Sequence, residues 1–390
     1  MKPEIRLLLD CATARPSVAR ADRVRRLASS DLNWEYLAAT AFWHGVLPLL
    51  CHNLNRVCAN AVPAGALHEM QAHFRANSTR NLSLAAELIK ILQLLEANGI
   101  CSLAFKGPAL ALSAYGNLAL RQFGDLDVLV RERDFPAAKD LFLAAGYRPW
   151  KDLTPQEEAL HLRSNHAFTL VRPKDSVRLD LHWRITQERY AFELDVESLW
   201  GRTIRVPFCG RDILGLSPED SLLVLCIHGS KHGWERLGWI CDIAEMLHAN
   251  PQLRWDEIIA RSASLRVSRA VLLGLDLAKS LVDAPLPESV LSAIERDRGV
   301  RWISSLIQRR LFARTRKISQ LEQAMLFIMA RERLQNKLPH LLYSFRRAVT
   351  PGDLDMSIFS LPESLYFLYY PLRAARLTRV AVARLFGRPQ

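Results

Sequence analysis

Two aspartates separated by a single leucine, Asp125 and Asp127, stand in the segment DLDVLV. We expect this segment to be a strand, and because alternate residues of a strand face the same side, both carboxylates share one face. Two like charges side by side repel each other, and burying them costs further free energy. A divalent cation relieves this repulsion, and Mg²⁺ prefers one or two carboxylates combined with substrate phosphates. The pair therefore predicts a cation site, with a solvated strand edge as the structural alternative.

A third carboxylate, Asp180, stands in the segment VRLDLHW. On a strand, Arg178, Asp180 and His182 share the polar face, while the apolar residues share the opposite face. If this strand lies beside the first one in a single sheet, three aspartates converge. Three carboxylates can hold two metal ions about 4 Å apart, an arrangement suited to in-line phosphoryl displacement. We therefore predict Asp125, Asp127 and Asp180 as catalytic and metal-binding residues, and His182 as a residue of the substrate cleft.

Lys106 and Gly107 form a turn between the predicted strand CSLAF and the predicted helix PALALSAYG. The backbone N–H groups of such a turn and the N-terminus of the helix can bind phosphate. Gly107 allows the backbone to approach a ligand closely, and Lys106 adds a positive charge. Arg121 is a further candidate phosphate ligand because its planar guanidinium suits phosphate oxygens. The alternatives for Arg121 are an ion pair with an acid of the site and a surface position.

A histidine-rich segment, HGSKHGWERLGWICDIAEML, begins at His228. Drawn as one helix, it places His228, Lys231, His232, Trp239 and Asp242 in a single polar stripe, although its glycines could interrupt the helix. We predict that this stripe lines a substrate cleft, with Lys231 on phosphate and Trp239 against a base or ring. The spacing of His228 and His232 could also hold zinc, but the segment has no HExxH motif and no obvious third ligand. Ordinary buried or surface histidines and a core tryptophan are the structural alternatives.

The elements that position these residues indicate an α+β fold. Strand and helix patterns alternate over residues 81–215, which predicts a mixed sheet with helices packed on it. Helical patterns dominate on either side. We predict four regions: an N-terminal helical region over 1–80, a catalytic core over 81–215, a helical domain closing the cleft over 216–345, and a basic helical tail over 346–390.

Composition favours a globular protein of a reducing compartment. Of the 390 residues, 49% are hydrophobic and 24% charged, enough to bury a core. The seven cysteines are scattered, odd in number and without a CxxC pair, as is typical of free thiols. We find no signal-peptide pattern and no apolar segment of transmembrane length. The expected location is the cytoplasm.

Positive charge is concentrated near the C-terminus. The formal net charge is +12, and residues 301–390 carry 16 Lys/Arg against 5 Asp/Glu, a net of +11. Such a segment can bind an anionic partner such as RNA or an anionic membrane surface. An Arg-rich solvated helical surface is the alternative.

The order of these motifs resembles the nucleotidyltransferase superfamily that includes polymerase β, in which a Gly-Ser turn precedes a D-x-D strand and a third carboxylate follows on another strand. In particular, FKGPALAL, LRQFGDLDVLV, LDLHWRI and the histidine-rich segment resemble a group of uncharacterised bacterial nucleotidyltransferases. The resemblance covers roughly residues 81–247. Lys-Gly in place of Gly-Ser is also the form seen in abortive-infection type nucleotidyltransferases.

The resemblance implies Mg²⁺- or Mn²⁺-dependent transfer of NMP from an NTP, with ATP binding expected, to an acceptor that could be a small molecule, a peptide, a protein or RNA. It implies that Asp125 and Asp127 bind metal, and that Asp180 completes the site and helps to deprotonate the acceptor. Lys106 and Gly107 would contact the triphosphate, although the missing Gly-Ser pair removes a hydroxyl contact. The alternative is a catalytically altered binding protein that its basic C-terminal end recruits to RNA or to an anionic membrane surface.

Overall fold

The structure is a computed structural model that describes residues 1–186, 196–313 and 320–330, and residues 365, 368–373 and 375–376 near the C-terminus. The chain divides into two compact units, residues 1–332 and 333–390. Most of the predicted basic tail, 346–390, lies outside the described residues. Within the described part, no helix combines the length and the apolar character needed to cross a membrane.

The N-terminal part of the first unit is helical. Its helices are α1 (Pro3–Cys11), α2 (Val18–Ala28), α3 (Trp34–Trp43), α4 (Leu47–Cys58) and α5 (Ala64–Ala97). Helix α5 buries an apolar stripe that includes Leu84, Leu88 and Leu95. It is continuous for 34 residues, so the chain has no break at residue 80, where we predicted a domain boundary.

A five-stranded mixed sheet forms the centre of the α+β fold, as the alternating patterns predicted. The strands are β1 (Ser102–Ala104), β2 (Leu126–Val130), β3 (Arg148–Pro149), β4 (Ala167–Arg172) and β5 (Val177–His182). Their order is β1-β2-β5-β4-β3, and only β2 and β5 are parallel neighbours. The helices of this region are α6 (Gly107–Tyr115), α7 (Phe135–Ala144), α8 (Pro155–Ser164) and α9 (Val196–Trp200).

A two-stranded hairpin and a second helical region follow the sheet. The hairpin, β6 (Ile204–Phe208) with β7 (Arg211–Gly215), was not among the predicted strands. The helices are α10 (Pro218–Lys231), α11 (Leu237–Ala249), α12 (Trp255–Ser264), α13 (Ser268–Val282), α14 (Glu288–Arg296), α15 (Arg298–Leu311) and α16 (Gln320–Met329). Ser217 caps α10 by accepting a hydrogen bond from the backbone N–H of Asp220.

The histidine-rich segment is interrupted, as its glycines allowed, and folds into two helices, α10 and α11, rather than the single helix on which the stripe was drawn. The chain turns between them, and both Gly233 (φ +61°) and Trp234 (φ +54°) adopt left-handed backbone conformations. Such residues end a right-handed helix. The ring of Trp234 folds back onto α10, where it is almost completely buried.

Three hydrophobic clusters stabilise the described part of the first unit, a small one around Leu103, Leu129 and Trp200 and two larger ones. One of the larger clusters joins helices of the N-terminal region to those that follow the hairpin. The other lies around the sheet, and in it Leu126, Val128, Leu179 and Leu181 are fully buried. Each buried leucine contributes about 1.5–3 kcal/mol through the hydrophobic effect. The two central strands, β2 and β5, are therefore firmly held against each other.

Candidate active site

The Lys-Gly turn lies where the sequence predicted it, between β1 and the first turn of α6. Lys106 is the N-cap residue of α6, and Gly107 begins the helix with φ +49°. A Cβ atom at position 107 would lie 3.0 Å from the backbone carbonyl oxygen of Asp125, closer than ordinary carbon–oxygen contacts. Glycine is thus required both by the backbone conformation and by the close approach to the start of β2.

The parallel pairing of β2 with β5 brings the predicted carboxylates together. Asp127 lies directly opposite Asp180 in the register of the two strands, and Asp125 immediately precedes β2. Asp127 is only 8% exposed, and the whole of β2 is buried. The alternative of a solvated strand edge is therefore wrong for Asp127, since β2 is an interior strand of the sheet.

Two basic side chains contact the carboxylate of Asp127. The Nζ atom of Lys106 lies 3.5 Å from its Oδ1, and the Nε2 atom of His182 lies 3.0 Å from the same oxygen. Burial alone would raise the pKa of Asp127, but Lys106 and His182 outweigh it and hold the pKa below its usual value. Asp127 is consequently ionised, and Nε2–H of His182 donates a hydrogen bond to it.

Asp125 and Asp180 have different surroundings. Burial, together with the nearby charges of Asp127 and Asp180, raises the pKa of Asp125 to about 6 against the opposing effect of Lys106. The Oδ1 atom of Asp180 accepts a hydrogen bond of 2.6 Å from the Thr169 hydroxyl. Its Oδ2 atom lies 3.1 Å from Nη2 of Arg178. Asp180 is thus oriented from both sides, while Asp125, with its raised pKa, takes up a proton more readily than Asp127.

The donor chemistry of this cluster fits a hard divalent cation, since carboxylate oxygens are the ligands that Mg²⁺ prefers. Across the part of the chain that the structure describes, however, no group of three or more His, Cys, Asp or Glu side chains is placed to hold a metal ion together. Ion pairs with Lys106 and Arg178 engage Asp127 and Asp180. A cation bound by two carboxylates and by phosphate oxygens of a substrate is compatible with these ion pairs. The metal site formed by all three carboxylates, Asp125, Asp127 and Asp180, stays a prediction.

Arg121 forms a buried ion pair with Asp242 on α11. Its Nε and Nη2 atoms lie 2.7 and 2.9 Å from the two carboxylate oxygens, and Tyr115 donates a 2.7 Å hydrogen bond to the same carboxylate. The Nη1 atom of Arg121 lies 3.4 Å from the carbonyl oxygen of Gly107. The sequence alternative of an ion pair with an acid of the site, Asp125, Asp127 or Asp180, was therefore wrong, because the ion-pair partner of Arg121 is Asp242. The predicted phosphate contact of Arg121 stays a prediction.

His228, His232 and Trp239 come together despite the helix break. The two imidazole centroids lie 4.6 Å apart, and the Trp239 ring lies 5.3 and 5.2 Å from them. Burial, together with the charges of Lys231 and Lys106, lowers the pKa of His232 to about 3 and that of His228 well below its usual value. Both imidazoles are therefore neutral near pH 7. These three rings, which we call the aromatic cluster, form an uncharged surface near Lys106.

Lys231 connects the aromatic cluster to the carboxylates through a histidine that the sequence analysis missed. Its Nζ atom lies 3.3 Å from Nε2 of His166, and the His166 ring lies 5.4 Å from that of His182. Thr169 was also missed. Its position opposite Asp180 on β4 depends on strand order, which the local pattern of β4 does not reveal. His166, immediately before β4, carried no spacing signal.

The chain was compared with protein families, with curated proteins and with solved structures. The model of a family described as "uncharacterised nucleotidyltransferase" matches residues 30–283, more than half of the chain. A search of curated proteins found no match.

Two solved structures show weak similarity. The antibiotic-resistance factor ANT(2'')-Ia matches at 16% identity and a TM-score of 0.35, over 50% of this chain and 96% of its own. An antigenic nucleotidyltransferase-like protein from Paracoccidioides brasiliensis matches at 15% identity and a TM-score of 0.33, over 54% of this chain and 96% of its own. The assignment therefore depends on the family match.

Proposed function

The chain belongs to the family of uncharacterised nucleotidyltransferases, and from this premise we propose that it transfers a nucleoside monophosphate from an NTP to an acceptor, with Mg²⁺ or Mn²⁺ as cofactor. One observation carries the proposal: parallel β2 and β5 place Asp127 opposite Asp180. Asp125 precedes β2, and its carbonyl lies against the turn that begins α6. Carboxylates and a phosphate-binding turn are the parts that phosphoryl transfer requires.

In this proposal each residue has a separate role in the reaction at the α-phosphorus. Asp125 and Asp127 hold the cation, which when bound neutralises negative charge on the triphosphate. Lys106 and the N–H groups at the start of α6 bind the triphosphate oxygens. His182 keeps Asp127 in place through its 3.0 Å hydrogen bond.

Asp180 is the proposed general base. Thr169 and Arg178 orient its carboxylate, so one oxygen can accept the proton of the acceptor hydroxyl. The acceptor oxygen forms a bond to the α-phosphorus as the bond from that phosphorus to the bridging oxygen breaks. Pyrophosphate leaves with the bonding electrons, and no oxidant or reductant is needed.

We assign the aromatic cluster to the flat part of a substrate, either the nucleobase or an acceptor ring. Neutral imidazoles and an indole stack on planar groups without repelling a cation-bound triphosphate. Lys231, whose Nζ atom lies 3.3 Å from Nε2 of His166, adds a positive charge beside the same surface. Zinc is not proposed for His228 and His232, because no third ligand joins them among the residues described.

The decisive experiment compares the wild-type protein with the Asp125→Asn/Asp127→Asn double variant. Each of the four NTPs is incubated with Mg²⁺ or Mn²⁺ and candidate acceptors, and pyrophosphate release and transferred NMP are measured by mass spectrometry. We expect activity to fall by at least about 10³-fold in the double variant, because charge stabilisation at the phosphates is lost. Asp31→Asn, an exposed carboxylate elsewhere, is the control and should keep full activity. Full activity in the double variant would contradict the mechanism.

We also propose two features that lie beyond the site. A cytoplasmic location is favoured by the seven free cysteines. An anionic partner for the basic C-terminal end is favoured by the net charge of +11 over residues 301–390. The test is binding of RNA or anionic vesicles by the full chain and by a chain ended at residue 345, over a salt series. Binding that weakens with salt and with the deletion is expected, and binding unchanged by the deletion would contradict it.

A further inference from the structure

A basic cavity lies far along the chain from the carboxylates, between α1, α2 and the end of α13. Its volume is about 580 Å³, and four arginines line it, Arg6, Arg20, Arg23 and Arg26. Leucines from the three helices complete its walls. Nothing in the proposed transfer reaction uses these residues.

The arginines outnumber the acids that neutralise them. Asp10 also lines the cavity and pairs with Arg23 at 2.6 Å. Asp283 lines it as well, but its partner is Lys279, at 2.8 Å. Among the residues that the structure describes, the guanidinium groups of Arg6, Arg20 and Arg26 therefore form no contact ion pair with a carboxylate, although the charge of Arg20 helps to lower the pKa of Asp283.

Arg20 gives the strongest indication of a ligand. It is only 8% exposed, yet the one hydrogen bond that its guanidinium makes within the described part of the chain goes from Nη2 to the carbonyl oxygen of Val282. A guanidinium has five N–H donors, and most of those of Arg20 are not used by the residues described. The other nitrogens of Arg20 keep some accessible surface, since none of them is a fully buried polar atom without a partner. Because Arg20 lines the cavity, an anion bound there would accept hydrogen bonds from them.

We propose that this cavity binds a phosphate-bearing small molecule of about nucleotide size, at a site separate from the carboxylates. The planar forks of three unmatched arginines fit phosphate oxygens in pairs. The volume lies within the range of about 300–1,000 Å³ typical of small-ligand pockets, and the leucines suit a base or a sugar face. Binding of a nucleic-acid backbone would require basic side chains on an open face of the protein. Arg20, in contrast, is buried within this cavity.

The cavity has arginines that lie outside the family match and a wall that lies inside it, formed by Ser280, Leu281 and Asp283. Arg6, Arg20, Arg23 and Arg26 all precede residue 30, where the family match begins. The link between α1 and α2 also reaches the catalytic half of the molecule, because Thr13 donates a 2.7 Å hydrogen bond to Glu245 on α11. From the same link, Arg15 donates one of 3.0 Å to the carbonyl of Ala114 on α6.

The test is calorimetric titration of the full chain with AMP and with inorganic pyrophosphate, in EDTA so that no divalent cation is present. We expect saturable binding of at least one probe. The Arg6→Gln/Arg26→Gln variant removes two exposed guanidinium groups and should weaken binding by about tenfold or more. The Arg56→Gln/Arg75→Gln variant, with the same loss of charge at exposed positions elsewhere, should bind like the wild type.

One further variant tests whether binding occurs at this site or at the catalytic one. A second tests whether binding needs the planar guanidinium of Arg20 or only its positive charge. Asp125→Asn/Asp127→Asn should leave the affinity unchanged, whereas Arg20→Lys should weaken it because the fork is lost while the charge remains. Circular dichroism of each variant confirms folding. Absence of binding to the wild type, equal affinity in the Arg6→Gln/Arg26→Gln variant, or binding of single-stranded RNA without binding of either probe would overturn the proposal.

Discussion

At the residue scale, the pair of Arg121 and Asp242 illustrates how one ion pair holds two parts of the site. The side chains are 13% and 4% exposed, and the same guanidinium contacts the carbonyl of Gly107. Burial works against the charge of Arg121, but Asp242 outweighs it and raises the pKa of Arg121. Arg121 thereby fixes the Lys-Gly turn relative to α11.

We expect Arg121→Gln to lower the free energy of unfolding by about 3–5 kcal/mol, because it leaves the buried carboxylate of Asp242 without its cation. Urea titration followed by circular dichroism measures the change. Arg25→Gln breaks an ion pair whose side chains are 55% and 49% exposed and should cost no more than about 1 kcal/mol. Equal losses in the two variants would show that the Arg121 pair is not a structural tie.

A second prediction at the residue scale concerns the stability and activity of a Gly107→Ala variant. Gly107→Ala forces an L side chain into a left-handed backbone and a Cβ to within 3.0 Å of the Asp125 carbonyl oxygen. The backbone strain should cost about 1–2 kcal/mol, and displacement of Asp125 should reduce pyrophosphate release as well. Gly65→Ala, in α5 with no atom within 4 Å of the added Cβ, is the matched control and should be neutral or slightly stabilising. Identical behaviour of the two variants would refute the close-approach argument.

At the element scale, the break between α10 and α11 brings the aromatic cluster together. The fold-back of Trp234 depends on Gly229, where an added Cβ would lie 2.2 Å from the indole ring. The short turn lets His228 and His232, at the end of α10, meet Trp239 at the start of α11. A continuous helix is therefore not required for these residues to share one surface.

Gly229→Ala should destabilise the protein by about 1–3 kcal/mol through overpacking against Trp234. The same substitution in a Trp234→Leu background should cost much less, since the ring it strikes is gone. Thermal or urea unfolding of the four proteins in this cycle measures the coupling. A Gly229→Ala cost that is the same in both backgrounds would show that Trp234 is not the obstacle.

The sequence predicted the elements whose signals are local. The Lys-Gly turn, α6 with its glycine stop at Gly116, and strands β2 and β5 all lie where alternation and turn residues indicated. The family resemblance is confirmed by the match over residues 30–283. The placement of Asp180 beside Asp127 was conditional on strand order, and the structure supplies that order.

What sequence alone missed depends on contacts between distant residues. Helical periodicity continued through residues 232–236 because it does not report a backbone conformation such as φ +54° at Trp234. Strand β6 was missed although IRVPF alternates apolar residues with Arg205 and Pro207, because a proline inside a short run argues against a strand. Its positions are also largely exposed. The choice of Asp242 as the partner of Arg121 is set by packing across 121 positions of sequence.

At the scale of the whole molecule, α5 joins the two larger hydrophobic clusters of residues 1–332, that of the helical regions and that around the sheet. Met70 belongs to the cluster of the helical regions, while Leu88 and Leu95 belong to the cluster around the sheet. At 1.5 Å per residue its 34 residues extend over about 51 Å. A single helix that contributes to both clusters couples their stabilities.

We therefore expect the two clusters to unfold together. Trp183 reports on the sheet cluster and Trp234 on the helical one, and both are almost completely buried. Labelling with 5-fluorotryptophan, with resonances assigned through Trp183→Phe and Trp234→Phe, allows ¹⁹F NMR to follow each during a urea titration. Coincident midpoints are the expected result of a cooperative unit. Separated midpoints would show that α5 does not transmit stability between the clusters.

The tie between Arg121 and Asp242 also has a consequence for the order of events during synthesis. The two residues are 121 positions apart, so at about 5–20 residues per second Arg121 is made some 6–24 s before its partner. For most of that interval the nascent chain contains Lys106, Asp125 and Asp127, but not the Asp242 carboxylate that holds Arg121 against the Lys-Gly turn. The Lys-Gly turn can therefore be held in place only after α11 has been synthesised. Assembly of the site must wait until most of the family region, residues 30–283, has been translated.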